Sequence, residues 1–338
     1  MKKFLLSILV AATCFQSCKQ NEVNDLKLER RLSALTSSGW AQLGSFPGAR
    51  IGAFGFSVGN KGYLGAGAAP NGIRFDLVEY NPETNKWTRK ADFPGGERVD
   101  AVTFTIGNKG YVGSGIGFGN SVVNNNGFQN DLWEYLPTTN TWTRKADLPV
   151  TQYQAASSAA FSIGNKGYIG IFCGDFKLFE YDPTQDKWTQ KASVALGNRR
   201  HVIAFSIGNK GYVGLGIKHS NKDGSDSFIN DIWEYNPDTD TWVRKADFPG
   251  GGRSGAVAFT IKDKGYVSTG SLSNNELKND LWEFDPLNNT WELQNISGIP
   301  GRTRAAGFSI GNSGYLGTGF NMIGNHYQSD FWKFTVAE

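Results

Sequence analysis

Short runs of aromatic and β-branched residues follow one another along most of this chain, separated by Gly, Asn and Pro. The unit is clearest over Phe104–Leu148. Ala101–Ile106 reads as a first strand, and Gly107-Asn108-Lys109-Gly110 as a tight turn of the Asn/Gly hairpin kind. Tyr111–Ser114 is a second strand. After an Asn/Gly loop, Leu132–Tyr135 is a third. Pro137 to Asn140 reverses the chain and Thr141–Lys145 is a fourth. Aligned on its Gly-Tyr pair, the unit recurs at Tyr63, Tyr111, Tyr168, Tyr212, Tyr266 and Tyr315, a spacing of about 50 residues that lies in the range of propeller repeats.

Two units depart from the pattern. The third joins its second and third strands through Cys173-Gly174-Asp175, where its neighbours use longer loops. The sixth ends at Phe331–Thr335 with no fourth strand. Gly39-Trp40-Ala41-Gln42, leading to Phe46-Pro47-Gly48, reads like Thr241-Trp242-Val243-Arg244 leading to Phe248-Pro249-Gly250. The N-terminal strand is therefore expected to complete the last unit and close a ring of six, which leaves no open sheet edge between first and last blades.

These motifs resemble those of the kelch family. The Tyr-x6-Trp spacing appears at Tyr80/Trp87, Tyr135/Trp142, Tyr181/Trp188 and Tyr235/Trp242, with Phe284/Trp291 changed conservatively. The family's Gly-Gly after the second strand is here Gly-x-Gly, as in Gly65-Ala66-Gly67. The resemblance covers residues 39–336 and implies one all-β domain, a six-bladed kelch-type β-propeller of four-stranded antiparallel blades.

Composition agrees, with 43 Gly, 23 Phe, 12 Tyr and 10 Trp. With 34 basic against 31 acidic residues, the net charge of +3 points away from nucleic acid and anionic surfaces. The N-terminus adds an address. Lys2 and Lys3 precede the apolar run Phe4–Ala12, too short to span a membrane, so residues 1–17 read as an export signal. Ser17-Cys18 resembles a bacterial lipobox, with Cys18 the lipidated first residue of the mature chain. Residues 18–38 would be a polar tether. This implies an exported lipoprotein of a Gram-negative-type bacterium, outer-membrane or periplasmic, anchored through Cys18 and monomeric as a propeller.

Strand alternation places the long irregular loops on one face, and that face is the expected working surface. An arginine column maps to it: Arg50, Arg98, Arg199, Arg253 and Arg302 lie thirteen residues before the repeat Tyr, with Ala155 in the third unit. Arg200 follows Arg199. Two readings stay open. As a ligand ring, the guanidiniums would hold carboxylate or phosphate. As structure, they would pair with Asp76, Asp131, Asp231, Asp280 and Asp330; the third unit, which lacks the Arg, has Lys177 in place of the Asp. A second series, Lys61, Lys109, Lys166, Lys210 and Lys264 against Glu79, Glu134, Glu180, Glu234 and Glu283, reads as surface ion pairs.

Catalytic signatures are sparse. The three His (His201, His219, His326) show no metal-site spacing, and no nucleophile elbow or phosphate loop is present, so no cofactor or metal is expected. Galactose oxidase is similar in architecture, but its copper ligands find no matching motif here. Exported six-bladed sialic acid mutarotases are a closer resemblance. They imply a cationic pocket for the sugar carboxylate and a general acid/base, a role for which His201 is the candidate. The expectation favoured by the sequence is a non-catalytic envelope module that binds a glycan or protein through its loop face; the mutarotase is the alternative.

Overall fold

The computed structural model describes residues 38–118, 127–150, 158–172, 176–220, 224–296, 298–322, 324 and 326–336. The export signal, Cys18 and nearly all of the tether lie outside these residues. So do Ala155, Cys173 and most of the Phe118–Asn130 loop.

The described chain is all β, with no helix. Six sheets are four-stranded and antiparallel. Their innermost strands, in order of blades 1 to 6, are Phe54–Val58, Val102–Ile106, Ser158–Ile163, Ile203–Ile207, Val257–Ile261 and Ala306–Ile310. Each touches the innermost strands of two neighbours, and the sixth touches the first, so the sheets form a closed propeller. Blade 6 takes its outermost strand from Gly39–Gln42, which pairs with Phe331–Thr335. Within blades the register is regular, with the repeat Tyr opposite a Phe of the innermost strand, as in Phe104↔Tyr111 and Phe205↔Tyr212.

The glycine of each Gly-Tyr pair has a packing reason. A Cβ on Gly110 would lie 2.2 Å from the Phe56 ring, and one on Gly167 would lie 2.1 Å from Phe104. Gly211, Gly265 and Gly314 seat Phe161, Phe205 and Phe259 in the same way, and Gly62 seats Phe308, which closes the circle from blade 6 to blade 1. Each blade thus inserts one aromatic ring over the bare backbone of the next. The cores between blades are built from these rings, the buried repeat tyrosines and the tryptophans of the outermost strands.

The expected Lys–Glu series is corrected. Only Lys109 pairs with its Glu, at 2.8 Å from Glu134. The repeat Glu instead accepts the repeat tyrosine's hydroxyl: Tyr63 to Glu79, Tyr111 to Glu134 and Tyr168 to Glu180, each at 2.7 Å, with Tyr212–Glu234 and Tyr266–Glu283 alike. Glu79 and Glu234 take their ammonium from a different lysine, Lys90 at 3.2 Å and Lys245 at 3.3 Å. Lys166 and Lys264 turn to Asp182 and Asp285.

Two small sheets rise on the long-loop side. One joins Arg98–Val99, Ile116–Gly117 and Gly127–Phe128 in blade 2; the other joins Arg199–Arg200, Ile217–His219 and Asp226–Phe228 in blade 4. They flank blade 3.

Candidate active site

The arginine column sits inside the wall. Arg98 is fully buried and grips Asp131 with both ends of its fork, at 2.6 and 2.9 Å. Arg50–Asp76, Arg199–Asp231, Arg253–Asp280 and Arg302–Asp330 repeat the two-pronged pairing. Four of the five also donate to a carbonyl sixteen residues on: Ala66, Ser114, Thr269 and Thr318. Those carbonyls belong to the middle residue of Gly-x-Gly, or of Ser268-Thr269-Gly270 in blade 5, which is left-handed, with φ between 55° and 64°. The Gly-x-Gly motif is therefore a backbone turn that aims an oxygen at the guanidinium.

Blade 3 lacks the whole device. Ile171 and Phe172 replace the left-handed pair, and Phe172 and Phe176 fill the space with rings 4.7 Å apart. An apolar cluster has taken the place of a buried ion pair, a substitution that costs a fold little when both charges leave together.

Two residues after each column arginine the chain turns left-handed again. The positions are Gly52 (φ 64°), Asp100 (55°), His201 (54°), Gly255 (63°) and Arg304 (51°). Their backbones form a collar around the mouth of the central channel. Asp100 N–H donates to Gly52 O at 2.9 Å, Gly52 N–H to Arg304 O at 3.1 Å, Arg304 N–H to Gly255 O at 2.8 Å, and Gly255 N–H to His201 O at 3.2 Å. Glycine is the default at such a φ, and a side chain there carries strain of about 1–3 kcal/mol. Three of the five described collar positions carry one, and the three are an acid, an imidazole and a guanidinium.

Those side chains meet across blades. Arg304 pairs with Asp100, its Nε 3.2 Å from Oδ1 and its Nη2 bonded to Oδ2. The pair passes directly over Gly52, where a Cβ would come within 2.7 Å of Asp100 Oδ1 and 2.9 Å of Arg304 Nη2. His201 Nε2 lies 3.9 Å from Asp100 Oδ2, and its Nδ1 is 3.2 Å from the buried Ser254 hydroxyl. Burial pushes the His201 pKa down to about 4; Asp100 pulls upward, and Arg304 and Arg200 add to the depression. His201 is therefore neutral at pH 7.

The three groups border a cavity of about 440 Å³, of the size that holds small ligands. Ile116, Phe128 and Ile217 give it an apolar side, and Arg200 and His219 stand on its rim. Below it the channel continues as a space of about 390 Å³ between the six innermost strands. Among the described residues, no group of three or more His, Cys, Asp or Glu is placed to hold a metal ion.

Of the residues singled out in the sequence, Arg200 and His201 line the cavity. Arg199 reaches its edge with its fork committed to Asp231, while Arg50, Arg98, Arg253 and Arg302 are buried behind it in their Asp pairs. A guanidinium so enclosed has no free face for a ligand, and the column is explained by its structural reading. Asp100, Arg304 and His219 were not singled out as site residues. The signal for the first two is the collar column, where residues that disfavour positive φ replace glycine.

No family model matches the chain. Two curated proteins are similar to it. The N-acetylneuraminate epimerase of Pasteurella multocida (strain Pm70) is 29% identical over 228 residues, which are 66% of this chain and 54% of that protein. The N-acetylneuraminate epimerase of Haemophilus influenzae (strain PittEE) is 28% identical over 232 residues, 67% and 53% respectively. The chain spans about half the length of the curated relatives it matches. The solved structure of YjhT superposes with a TM-score of 0.69 at 19% identity, over 87% of this chain and 97% of that one, and shares the propeller fold. The expectation of a non-catalytic binding or scaffold module is overturned. The similar proteins are named for an enzymatic activity, and the cavity gathers proton-handling groups that a passive scaffold does not need.

Proposed function

We propose that this propeller is an epimerase that interconverts the anomers of an acidic sugar of the N-acetylneuraminate type. The observation that carries the reading is the meeting of Asp100, His201 and Arg304, from three blades, at the mouth of one cavity. The names of the similar curated proteins support it.

The chemistry asks for few parts. Opening a cyclic hemiketal moves one proton from the anomeric hydroxyl to the ring oxygen as the bond between anomeric carbon and ring oxygen breaks. Both oxygens are attached to the same carbon, so one base can take the proton and return it. His201 fits that shuttle. In the tautomer whose Nδ1–H donates to the Ser254 hydroxyl, the Nε2 lone pair is left to accept. The imidazolium formed lies beside Asp100, which stabilises it. The ring oxygen receives the proton, the open-chain ketone rotates by half a turn, and reclosure on the other face runs the steps in reverse.

Arg304 serves the carboxylate. One edge of its guanidinium orients Asp100, and the other remains for the substrate's carboxylate, which sits on the anomeric carbon. The left-handed collar holds all three side chains on interlocked backbone and so limits reorganisation during proton transfer.

The test is exchange between N-acetylneuraminate anomers, followed by NMR under conditions where the uncatalysed reaction is slow. The protein is expected to accelerate exchange, and His201→Gln to lose about 10²-fold or more with an unchanged melting temperature. No acceleration by the intact protein would sink the proposal.

A further inference from the structure

A second charged cluster stands at the edge of the same cavity, where Arg200 and His219 line it, and the proton shuttle does not use it. Arg200 Nη2 is 2.6 Å from Asp226 Oδ2, and His219 Nδ1 is 3.0 Å from Asp226 Oδ1. The three residues come from all three strands of the small blade-4 sheet, with Lys218 opposite Arg199 and His219 opposite Asp226. The cluster repeats the composition of the collar group, an Arg, an Asp and a His. Its setting is different. The side chains are between a third and a half exposed, whereas those of Asp100, His201 and Arg304 are about a quarter exposed. Ile116, Phe128 and Ile217 line the same cavity.

From this arrangement we infer that Arg200, Asp226 and His219 form a subsite for an uncharged, polyhydroxylated tail of the ligand, and so select long-chain sugar acids over short ones. The inference rests on the epimerase reading for the identity of the reacting end, but its physical basis is separate. Arg200 and Asp226 stand side by side as a donor and an acceptor of opposite charge, a pairing that matches a vicinal diol, which both accepts and donates. One hydroxyl can accept from the remaining N–H groups of Arg200 or donate to the free ring nitrogen of His219, and a vicinal hydroxyl can donate to the open lone pairs of Asp226. The His219 bond, with Arg200 beside it, holds the Asp226 carboxyl below its usual range, so it stays an acceptor well into acid. Nothing in the cluster is desolvated enough to favour reaction, which suits a subsite for a part of the substrate that does not react.

The lining offers a place for each part of such a ligand: the collar for the anionic reacting end, Ile116 and Ile217 for an apolar substituent, and Arg200 and His219 for hydroxyls. N-acetylneuraminate carries these three features in one molecule, as a carboxylate, an acetamido methyl and a three-carbon glycerol tail.

The experiment compares two probes on the intact protein: N-acetylneuraminate, and the same sugar trimmed by periodate so that the tail is a single carbon. Binding is measured by calorimetry, and anomer exchange by NMR. The wild type is expected to bind the full sugar about tenfold more tightly than the trimmed one. Asp226→Asn and His219→Ala are each expected to abolish that preference by weakening the full sugar alone, with melting temperatures unchanged. Equal binding of the two sugars by the wild type, or equal weakening of both in the variants, would overturn the subsite. Absence of binding to either sugar would overturn it too. A tail preference without any anomer exchange would remove the epimerase reading and leave the subsite standing.

Discussion

Arg302 and Arg304 leave the chain two residues apart. Arg302 is fully buried, its fork closed on Asp330 and a backbone carbonyl. Arg304 is a quarter exposed and reaches across blade 1 to Asp100, 204 positions away. The same contrast recurs in blade 4, where Arg199 pairs inside the wall with Asp231 and its neighbour Arg200 pairs at the cavity rim with Asp226. All four are arginines in two-residue or adjacent register with the blade repeat, and all four face an aspartate. What separates them is solvent. A pair sealed in the wall is held by a two-pronged contact out of reach of solvent, and it fixes blade geometry. A pair open to the cavity keeps donors in reserve and can exchange a partner for a ligand.

The strongest way to break this contrast is to remove one member of a wall pair. Arg98→Ala leaves Asp131 charged, enclosed and without its fork partner, and is expected to lower stability by about 3–5 kcal/mol in urea unfolding. Arg98→Met with Asp131→Leu is expected to recover much of that loss, as blade 3 does with Phe172 and Phe176. If Arg98→Ala unfolds at the wild-type midpoint, the wall reading of the column fails. The counterpart at the cavity is Arg304→Ala. It is expected to cost under about 1 kcal/mol, as exposed pairs do, while anomer exchange falls by about 10²-fold. A large stability loss without a rate loss would place Arg304 with the wall.

This contrast also explains what could be seen in the chain beforehand. The blades were legible because each copy solves the same packing problem: the glycine of Gly110-Tyr111 must be bare for Phe56, and the same holds at Gly167 for Phe104. Identical constraints leave identical residues, and periodicity reveals them. The Arg–Asp column was legible for the same reason, and its coincident loss in the third unit pointed to pairing. Asp100 and Arg304 were not legible. Each is one charged residue among many, and their bond links units that are not neighbours in sequence. The trace they leave is an absence of repetition: at the collar, Gly52 and Gly255 keep the residue that a positive φ prefers, while Asp100, His201 and Arg304 do not. His201 drew attention as a rare histidine, without the collar that explains its place. Architecture writes itself in columns that agree, and this site in a column that disagrees.

Gly52 tests the collar itself. It lies between the cavity pair and has no role in the wall, and its φ of 64° tolerates a side chain poorly. Gly52→Ala is expected to destabilise by about 1–2 kcal/mol through backbone strain. Its new methyl would also push Asp100 and Arg304 apart, so exchange should slow beyond what the stability loss explains. Gly127, which also has positive φ but open space around its Cβ position, is the control: Gly127→Ala should show the strain without the rate effect.

The smallest expected effect is the pH dependence contributed by His201. The unfolded chain binds this proton near pH 6.5, and the folded chain only near pH 4. Between those values the unfolded state holds more protons, so stability due to this residue is complete above pH 6.5 and declines as the pH falls toward 4. The measurement is the difference in unfolding free energy between wild type and His201→Gln across pH 4 to 7. It should change in the direction of relatively weaker wild type as the solution is acidified. Anomer exchange should be flat from pH 7 down to about 5 and fall as His201 protonates. A stability difference independent of pH, with a rate that already drops near pH 6.5, would mean that the imidazole titrates as it does in water. The collar would then not enclose it, and the line drawn between sealed wall and working cavity would have to be moved.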